Sequence, residues 1–270
     1  KKYIKNAAEK GDPLAMREYA FSLFYSDQYN QNKLEAAKYF KILIDQNKEK
    51  IDIDVIKRYA FMQLKGDGVP INKKEAAKYF KILADKGNDL NTILIYGEML
   101  YYGDGITQDK SQAAKYYKKA ADNNSYDACL EYGKMVLYGE EGVKKNMKEA
   151  SKYLKKAADK NIAEACALYG MMLDNGFGIN INLKEGAKYC KIAADNGCIK
   201  SMYNYAAKLE EGIGIPSDKN LSVKYFKMAA DKNFLPAMYM YGSKLLNGEN
   251  VPMNKKEAVR YIKAAANNDN

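Results

Sequence analysis

The chain has 270 residues, 47% of them hydrophobic and 29% charged, a balance that supports a packed core and excludes an intrinsically disordered chain. Its 44 basic residues against 34 acidic ones give a formal charge of +10, but only Arg17, Arg58 and Arg260 are arginine, so the basic surface is a lysine surface and poorly suited to sequence-specific base reading. No apolar run reaches the roughly 18 to 20 residues that span a bilayer, and the absence of histidine excludes Ser–His or Cys–His catalysis and His-containing zinc sites within this sequence.

A tyrosine preceded by a basic residue recurs along the chain at Tyr3, Tyr39, Tyr79, Tyr116, Tyr153, Tyr189, Tyr225 and Tyr261, in steps of 36, 40, 37, 37, 36, 36 and 36 residues. Between these stand Tyr19, Tyr59, Tyr96, Tyr132, Tyr169, Tyr205 and Tyr241, each followed by Gly or Ala. Two segments therefore alternate, B around the first series and A around the second. In A the apolar residues lie three before and four after the tyrosine, as in Cys166, Tyr169 and Leu173. In B a stripe such as Tyr79, Phe80, Leu83 and Ala84 repeats. Both spacings are helical.

In chain order, a half unit over residues 1–10 comes first, followed by units at 11–47, 48–87, 88–124, 125–160, 161–196, 197–232 and 233–270. Each A helix is expected to stop at a left-handed glycine: Gly66, Gly103, Gly139, Gly176, Gly212 and Gly248, with Ser26 in an irregular first unit. A short loop follows, in which Val69, Ile106, Val143, Ile179, Ile215 or Val251 plugs the gap between the helices. The B helix then starts at an N-cap: Asn32, Asn72, Asp109, Asn146, Asn182, Asp218 or Asn254. Three residues later stand Glu35, Glu75, Gln112, Glu149, Glu185, Leu221 and Glu257, so six of the seven can complete a capping box. Connections this short make neighbouring helices antiparallel. Gly in the middle of a helix costs about 1 kcal/mol against Ala. Its recurrence after the A tyrosine in four of seven units, at Gly97, Gly133, Gly170 and Gly242, predicts a close helix crossing there. The chain starts inside a B helix and ends just after one, and is read as part of a longer protein.

The repeated pattern, seen in Ala165, Tyr169-Gly170, Leu173, Gly176, Gly178, Asn182, Tyr189 and Ala193-Ala194, resembles the Sel-like repeat family, short-period relatives of the tetratricopeptide repeat. The resemblance covers essentially the whole chain, with tyrosine where the family usually has leucine before the glycine. It implies an all-α fold, a right-handed α/α superhelical solenoid of about seven antiparallel helix pairs. It also implies a non-enzymatic scaffold or adaptor that binds other proteins. Two alternatives stay open: a basic module docking nucleic acid, anionic membrane or acidic proteins, and the regulatory repeat region of a larger enzyme.

No catalytic residue, cofactor site or metal site is expected. Cys129 and Cys166 occupy the slot of Met16, Ile56, Ile93, Met202 and Met238, and Cys190 replaces Phe40 or Phe80, so these three read as core; Cys198 opens an A helix and reads as partly exposed. Gly-Asp-Gly at 66–68 and 103–105 lacks the ligand spacing of a calcium loop and the Gly-Lys-Ser/Thr of a phosphate loop. The repeats carry no cysteine pair, unlike some secreted relatives, which favours a cytoplasmic location. Asn123-Asn124-Ser125 and Asn220-Leu221-Ser222 match the glycosylation pattern and leave a luminal or secreted one open.

In the related repeat the A helices line the concave surface. That arrangement would turn into the groove the residues two before and two, five and six after each A tyrosine. The partner-binding set is then Arg17, Phe21, Phe24, Lys57, Phe61, Leu94, Glu98, Tyr101, Tyr102, Lys134, Tyr138, Met171, Tyr203 and Tyr239, with Tyr25, Leu130, Leu137, Asp174, Glu210 and Ser243 at equivalent positions. Aromatic anchors with a few charges suit an extended peptide or a helix. A second candidate surface is the lysine ladder of the B helices: Lys38, Lys78, Lys115, Lys152, Lys188 and Lys224, and Lys41, Lys81, Lys118, Lys155, Lys191, Lys227 and Lys263. A face this regular reads first as solvated, and as an anion-docking surface second.

Overall fold

The computed structural model describes residues 2–26, 29–46, 52–86 and 89–267, so the expected unit boundaries at 47/48 and 87/88 lie outside the described residues. Among the described residues every regular element is an α-helix. The chain packs as two compact units, Lys1–Ser125 and Tyr126–Asn270. In the first unit, B-type helices α1 (Lys2–Glu9), α3 (Tyr29–Gln46), α5 (Lys73–Lys86) and α7 (Lys110–Asp122) alternate with A-type α2 (Pro13–Phe24), α4 (Ile53–Lys65) and α6 (Leu90–Tyr102). In the second, A-type α8 (Tyr126–Tyr138), α10 (Ala163–Asn175), α12 (Ile199–Glu211) and α14 (Leu235–Asn247) alternate with B-type α9 (Met147–Ala158), α11 (Leu183–Asp195), α13 (Lys219–Ala230) and α15 (Lys255–Asn267). Within each unit every helix packs on the one before and the one after, the sequential stacking of a helical repeat solenoid.

The helix ends explain the period. Gly66, Gly103, Gly139, Gly176, Gly212 and Gly248 all hold φ between 71 and 77°, the left-handed conformation that stops the A helix. In the irregular first unit α2 ends instead at Tyr25, with φ −87°. The side chains of Asn72, Asp109, Asn146, Asn182, Asp218 and Asn254 accept the amide three residues on, at 2.8 to 3.1 Å. The capping box, however, closes differently from expectation. The N-cap amide of Asn146 donates to Val136 O at 2.7 Å and that of Asn182 to Leu173 O at 2.9 Å, satisfying carbonyls at the end of the preceding A helix. Because that amide is occupied, Glu149, Glu185 and Glu257 accept instead from the N-cap side-chain amide, at 2.8 to 3.2 Å. Asn32 does not cap: α3 begins one turn earlier at Tyr29, and Asn32 donates to Ser26 Oγ at 3.0 Å.

The two tyrosine series meet. Each A tyrosine stands edge-to-face against the B tyrosine of its own unit, with centroids 4.8 to 5.4 Å apart in all seven pairs. Such pairs contribute about 0.5–1.5 kcal/mol beyond their burial. Beside them, Phe40, Phe80, Leu154 and Phe226 are fully buried. A Cβ on Gly97 would come within 2.8 Å of the Tyr117 ring and one on Gly133 within 2.8 Å of Leu154, which is the close crossing that the small residue predicts.

Successive repeats are joined by a polar relay. Tyr116 donates to Asp85 at 2.5 Å, Tyr189 to Asp159 at 2.5 Å, Tyr225 to Asp195 at 2.6 Å, and Tyr261 to Asp231. Each acceptor lies at the end of the preceding B helix, where Lys81, Lys155, Lys191 or Lys227 pairs with it one turn earlier. Burial works toward protonating these carboxyls, but the lysine and tyrosine donors outweigh it and hold all four below the usual carboxylate range. The tyrosines move the other way: burial, then the neighbouring Asp, pushes Tyr116, Tyr189, Tyr225 and Tyr261 above their ordinary value.

Candidate functional site

In the first unit, the A-helix residues marked by the sequence come together around one cleft. Arg17, Glu18, Phe21 and Tyr25 of the α2 segment face Asp54, Lys57, Arg58 and Phe61 of α4 across a cavity of about 510 Å³. The B helices support it from behind: Phe21 stands edge-on to Phe40 at 5.0 Å and Phe61 to Phe80 at 5.1 Å. Phe21, Phe24 and Phe61 are half-buried, while Tyr25 remains 64% exposed. Arg17 is held by Asp52 at 2.8 Å, Glu18 at 3.3 Å and Asp54 at 3.4 Å, and the Asp52 hydrogen bond raises its already high pKa further. Lys57 pairs with Asp89 at 2.5 Å. Farther along, α6 carries Leu94 half-buried, Glu98 exposed, Tyr101 against Tyr102 at 4.9 Å, and Tyr102 itself 70% exposed.

Arg58, one residue before its A tyrosine, falls outside the four groove positions, yet it forms the wall of this cleft. Its guanidinium lies 4.4 Å over the Phe24 ring and 5.1 Å over Tyr25, and donates to the Tyr25 hydroxyl at 2.5 Å. The available signal was the scarcity of arginine: two of the three in the chain, Arg17 and Arg58, line one cavity.

In the second unit the marked residues stand apart on successive A helices. Lys134 of α8 pairs with Glu164 at 3.0 Å and Glu131 at 3.3 Å, and Tyr138 is exposed. Met171 on α10 is half-buried and Tyr239 on α14 is 61% exposed. Tyr203 packs between Phe226 and Phe234, 5.5 Å from each. Leu130 and Leu137, placed at groove positions, are buried core residues instead.

Asp174 and Glu210 are also taken up internally. Lys208, 8% exposed, reaches Asp174 at 2.8 Å, and Lys244, 3% exposed, reaches Glu210 at 2.5 Å. Both lysines stand where Met62, Met99, Met135 and Met172 stand in other units. Room for the acids comes from α11 and α13, where Gly186 and Ser222 replace alanine. A Cβ on Gly186 would overlap Asp174 Oδ1, and Ser222 donates to Glu210 Oε2 at 3.2 Å. Ser222 is fully buried, so the glycosylation pattern starting at Asn220 runs into the core of a helix.

Part of the lysine ladder is paired within the repeats. Lys81, Lys155, Lys191 and Lys227 are engaged in the relay, and Lys41 pairs with Asp45 and Glu75 at 3.3 Å. Lys38, Lys78, Lys115, Lys152, Lys188 and Lys224 are exposed. The cysteines follow the sequence reading: Cys129, Cys166 and Cys190 are buried and Cys198 is half-exposed. Burial pushes the Cys166 thiol up to about 11 and that of Cys190 up to about 12, so neither is a thiolate at neutral pH.

Stacked antiparallel helix pairs with an aromatic A face and a lysine-bearing B face define a helical-repeat protein, and among the described residues no helix is long and apolar enough to cross a membrane. The Sel1 repeat profile matches residues 13–48, 56–88, 94–125, 127–162, 163–198, 199–234 and 235–270, and the chain belongs to the Sel1 repeat family. The fold is shared with a protective antigen of uropathogenic Escherichia coli that displays an SLR fold: 22% identity, TM-score 0.81, covering 99% of this chain and 56% of that one. It is shared also with a Sel1 repeat protein from Oxalobacter formigenes: 22% identity, TM-score 0.78, covering 100% of this chain and 77% of that one. The chain thus spans little more than half the length of the E. coli antigen. No curated protein matches it. Sel1 repeat proteins are in general interaction scaffolds without catalytic activity.

Proposed function

We propose that this chain is a protein-binding scaffold that holds an extended peptide or a helix of its partner on the A-helix face of the first unit. The observation that carries the reading is the set of aromatic rings on that face: Phe21 and Phe61 backed by Phe40 and Phe80, Phe24 and Tyr101 half-buried, and Tyr25 and Tyr102 exposed beside them. Aromatic side chains lose little conformational entropy on binding and bury a large area, and they dominate the energetics of such surfaces. Part of the lysine charge of the B face is already paired within the repeats.

A pull-down from cell extract at about 0.15 M and about 0.5 M salt, with and without nuclease, tests the class of partner, since the higher salt screens exposed charges to within a few ångströms. Discrete protein bands that persist at both, and disappear with Phe61→Ala or Tyr102→Ala, are the expected result. Nucleic acid, or acidic proteins lost at high salt regardless of these substitutions, would move the function to the exposed lysines of the B helices.

A further inference from the structure

We propose that the α2–α4 cleft recognises an acidic side chain of the partner peptide on Arg58, with a neighbouring apolar side chain seated on Phe21 and Phe61. This rests on the reading of the A-helix face as the docking surface and gives it a chemical preference. Three cations line the cleft, and their situations differ. Arg17 is held by three carboxylates and Lys57 by Asp89. Among the described residues no carboxylate lies within ion-pairing distance of Arg58, whose partners are two ring faces and one phenol oxygen. A guanidinium has five N–H donors, and Tyr25 takes one. The rings hold its plane and reduce its contact with water, while its edge keeps the fork that matches a carboxylate with two parallel hydrogen bonds.

The other charges narrow the choice of ligand. Glu18 and Asp54 also line the cavity. They disfavour a polyanion or a doubly charged phosphate relative to a ligand with a single carboxylate. A cavity of about 510 Å³ takes a few side chains rather than a folded domain.

The probe is a random dodecapeptide library displayed on phage and selected against the whole chain. Enriched sequences are then synthesised with amidated carboxyl termini and titrated by fluorescence anisotropy. The expected result is enrichment of Asp or Glu beside an aromatic or aliphatic residue. Arg58→Gln, and Glu→Gln in the peptide, should each weaken binding about tenfold, with the double change no worse than either alone. Arg58→Lys should recover only part of the loss, because an ammonium lacks the planar fork. Circular dichroism melts establish that each variant is folded.

Peptides that lose affinity on Phe61→Ala but not on Arg58→Gln would overturn the acidic preference and leave the groove reading standing. Peptides indifferent to both substitutions, or no enrichment at all, would sink both. Loss of binding on amidation alone would assign Arg58 to a chain terminus, and tighter binding of a phosphoserine version would assign it to phosphate; either result overturns the proposal.

Discussion

Lys244 and Glu210 show what one residue change demands of its neighbours. A lysine in a methionine slot would leave a buried charge without a partner, a penalty of several kcal/mol. Here the charge is matched by an acid one repeat earlier and by a serine that holds the acid's second oxygen. Lys244→Met alone strands Glu210 and should lower unfolding stability by about 1–3 kcal/mol. The double variant Lys244→Met/Glu210→Leu restores the apolar arrangement of earlier units and should recover most of that loss in urea titration. Gly186→Ala should destabilise by a similar amount, about 1–3 kcal/mol despite alanine's better helix propensity, because the methyl group overlaps Asp174. These couplings were present in the sequence as matched departures from the repeat: Lys208 with Asp174 and Gly186, Lys244 with Glu210 and Ser222. They are hard to see because charge at such a position reads as surface unless the columns are compared across units.

Helix starts, helix stops and the A–B alternation were legible because each has a local cause: an amide-accepting side chain, a left-handed glycine, a period of three and four. The extra turn at the start of α3 was not, since Asn32 is a good cap that tertiary packing overrides by linking it to Ser26. Nor was the relay between B helices, which joins residues about 30 positions apart. In the repeat of Tyr205 and Tyr225 it makes the two tyrosines unequal. Tyr225 donates to Asp195 at 2.6 Å, whereas among the described residues the hydroxyl of Tyr205 makes no side-chain hydrogen bond. Tyr225→Phe should therefore cost about 1 kcal/mol and Tyr205→Phe about nothing, read by chemical denaturation of the two variants. The same reasoning separates the candidate cleft from its prediction: ring positions followed from spacing, but the role of Arg58 depends on a ring contact with Phe24 and Tyr25 in the neighbouring segment.

Across the molecule, the relay sets the limits of pH stability. Asp85, Asp159, Asp195 and Asp231 titrate below their unfolded value. Their contribution is present above the ordinary carboxylate pKa of about 4 and is lost as pH falls through the lowered folded values. Tyr116, Tyr189, Tyr225 and Tyr261 titrate above theirs, and Lys81, Lys155, Lys191 and Lys227 do likewise. Their contribution is complete below about pH 10 and is lost as pH rises further. Melting temperature should thus form a plateau between about pH 5 and pH 9 and fall on both sides. Asp195→Asn should shorten the acid shoulder, and a melt series across pH that shows a single optimum near neutrality would contradict this account.

The buried lysines also bear on the order in which repeats can stack. Repeat proteins face a problem that globular folds do not: nearly identical interfaces allow one module to dock against the wrong neighbour, or against the same module of another molecule. In the second unit α12 and α14 present Lys208 and Lys244, and only α10 and α12 present the matching Asp174 and Glu210. Were α14 to dock where α10 belongs, Lys244 would meet Leu137 of α8 and have no counter-charge. The pairs act as address labels, written in charge within an otherwise repetitive core, and they penalise an assembly in which a lysine-bearing module docks on one that lacks the acid.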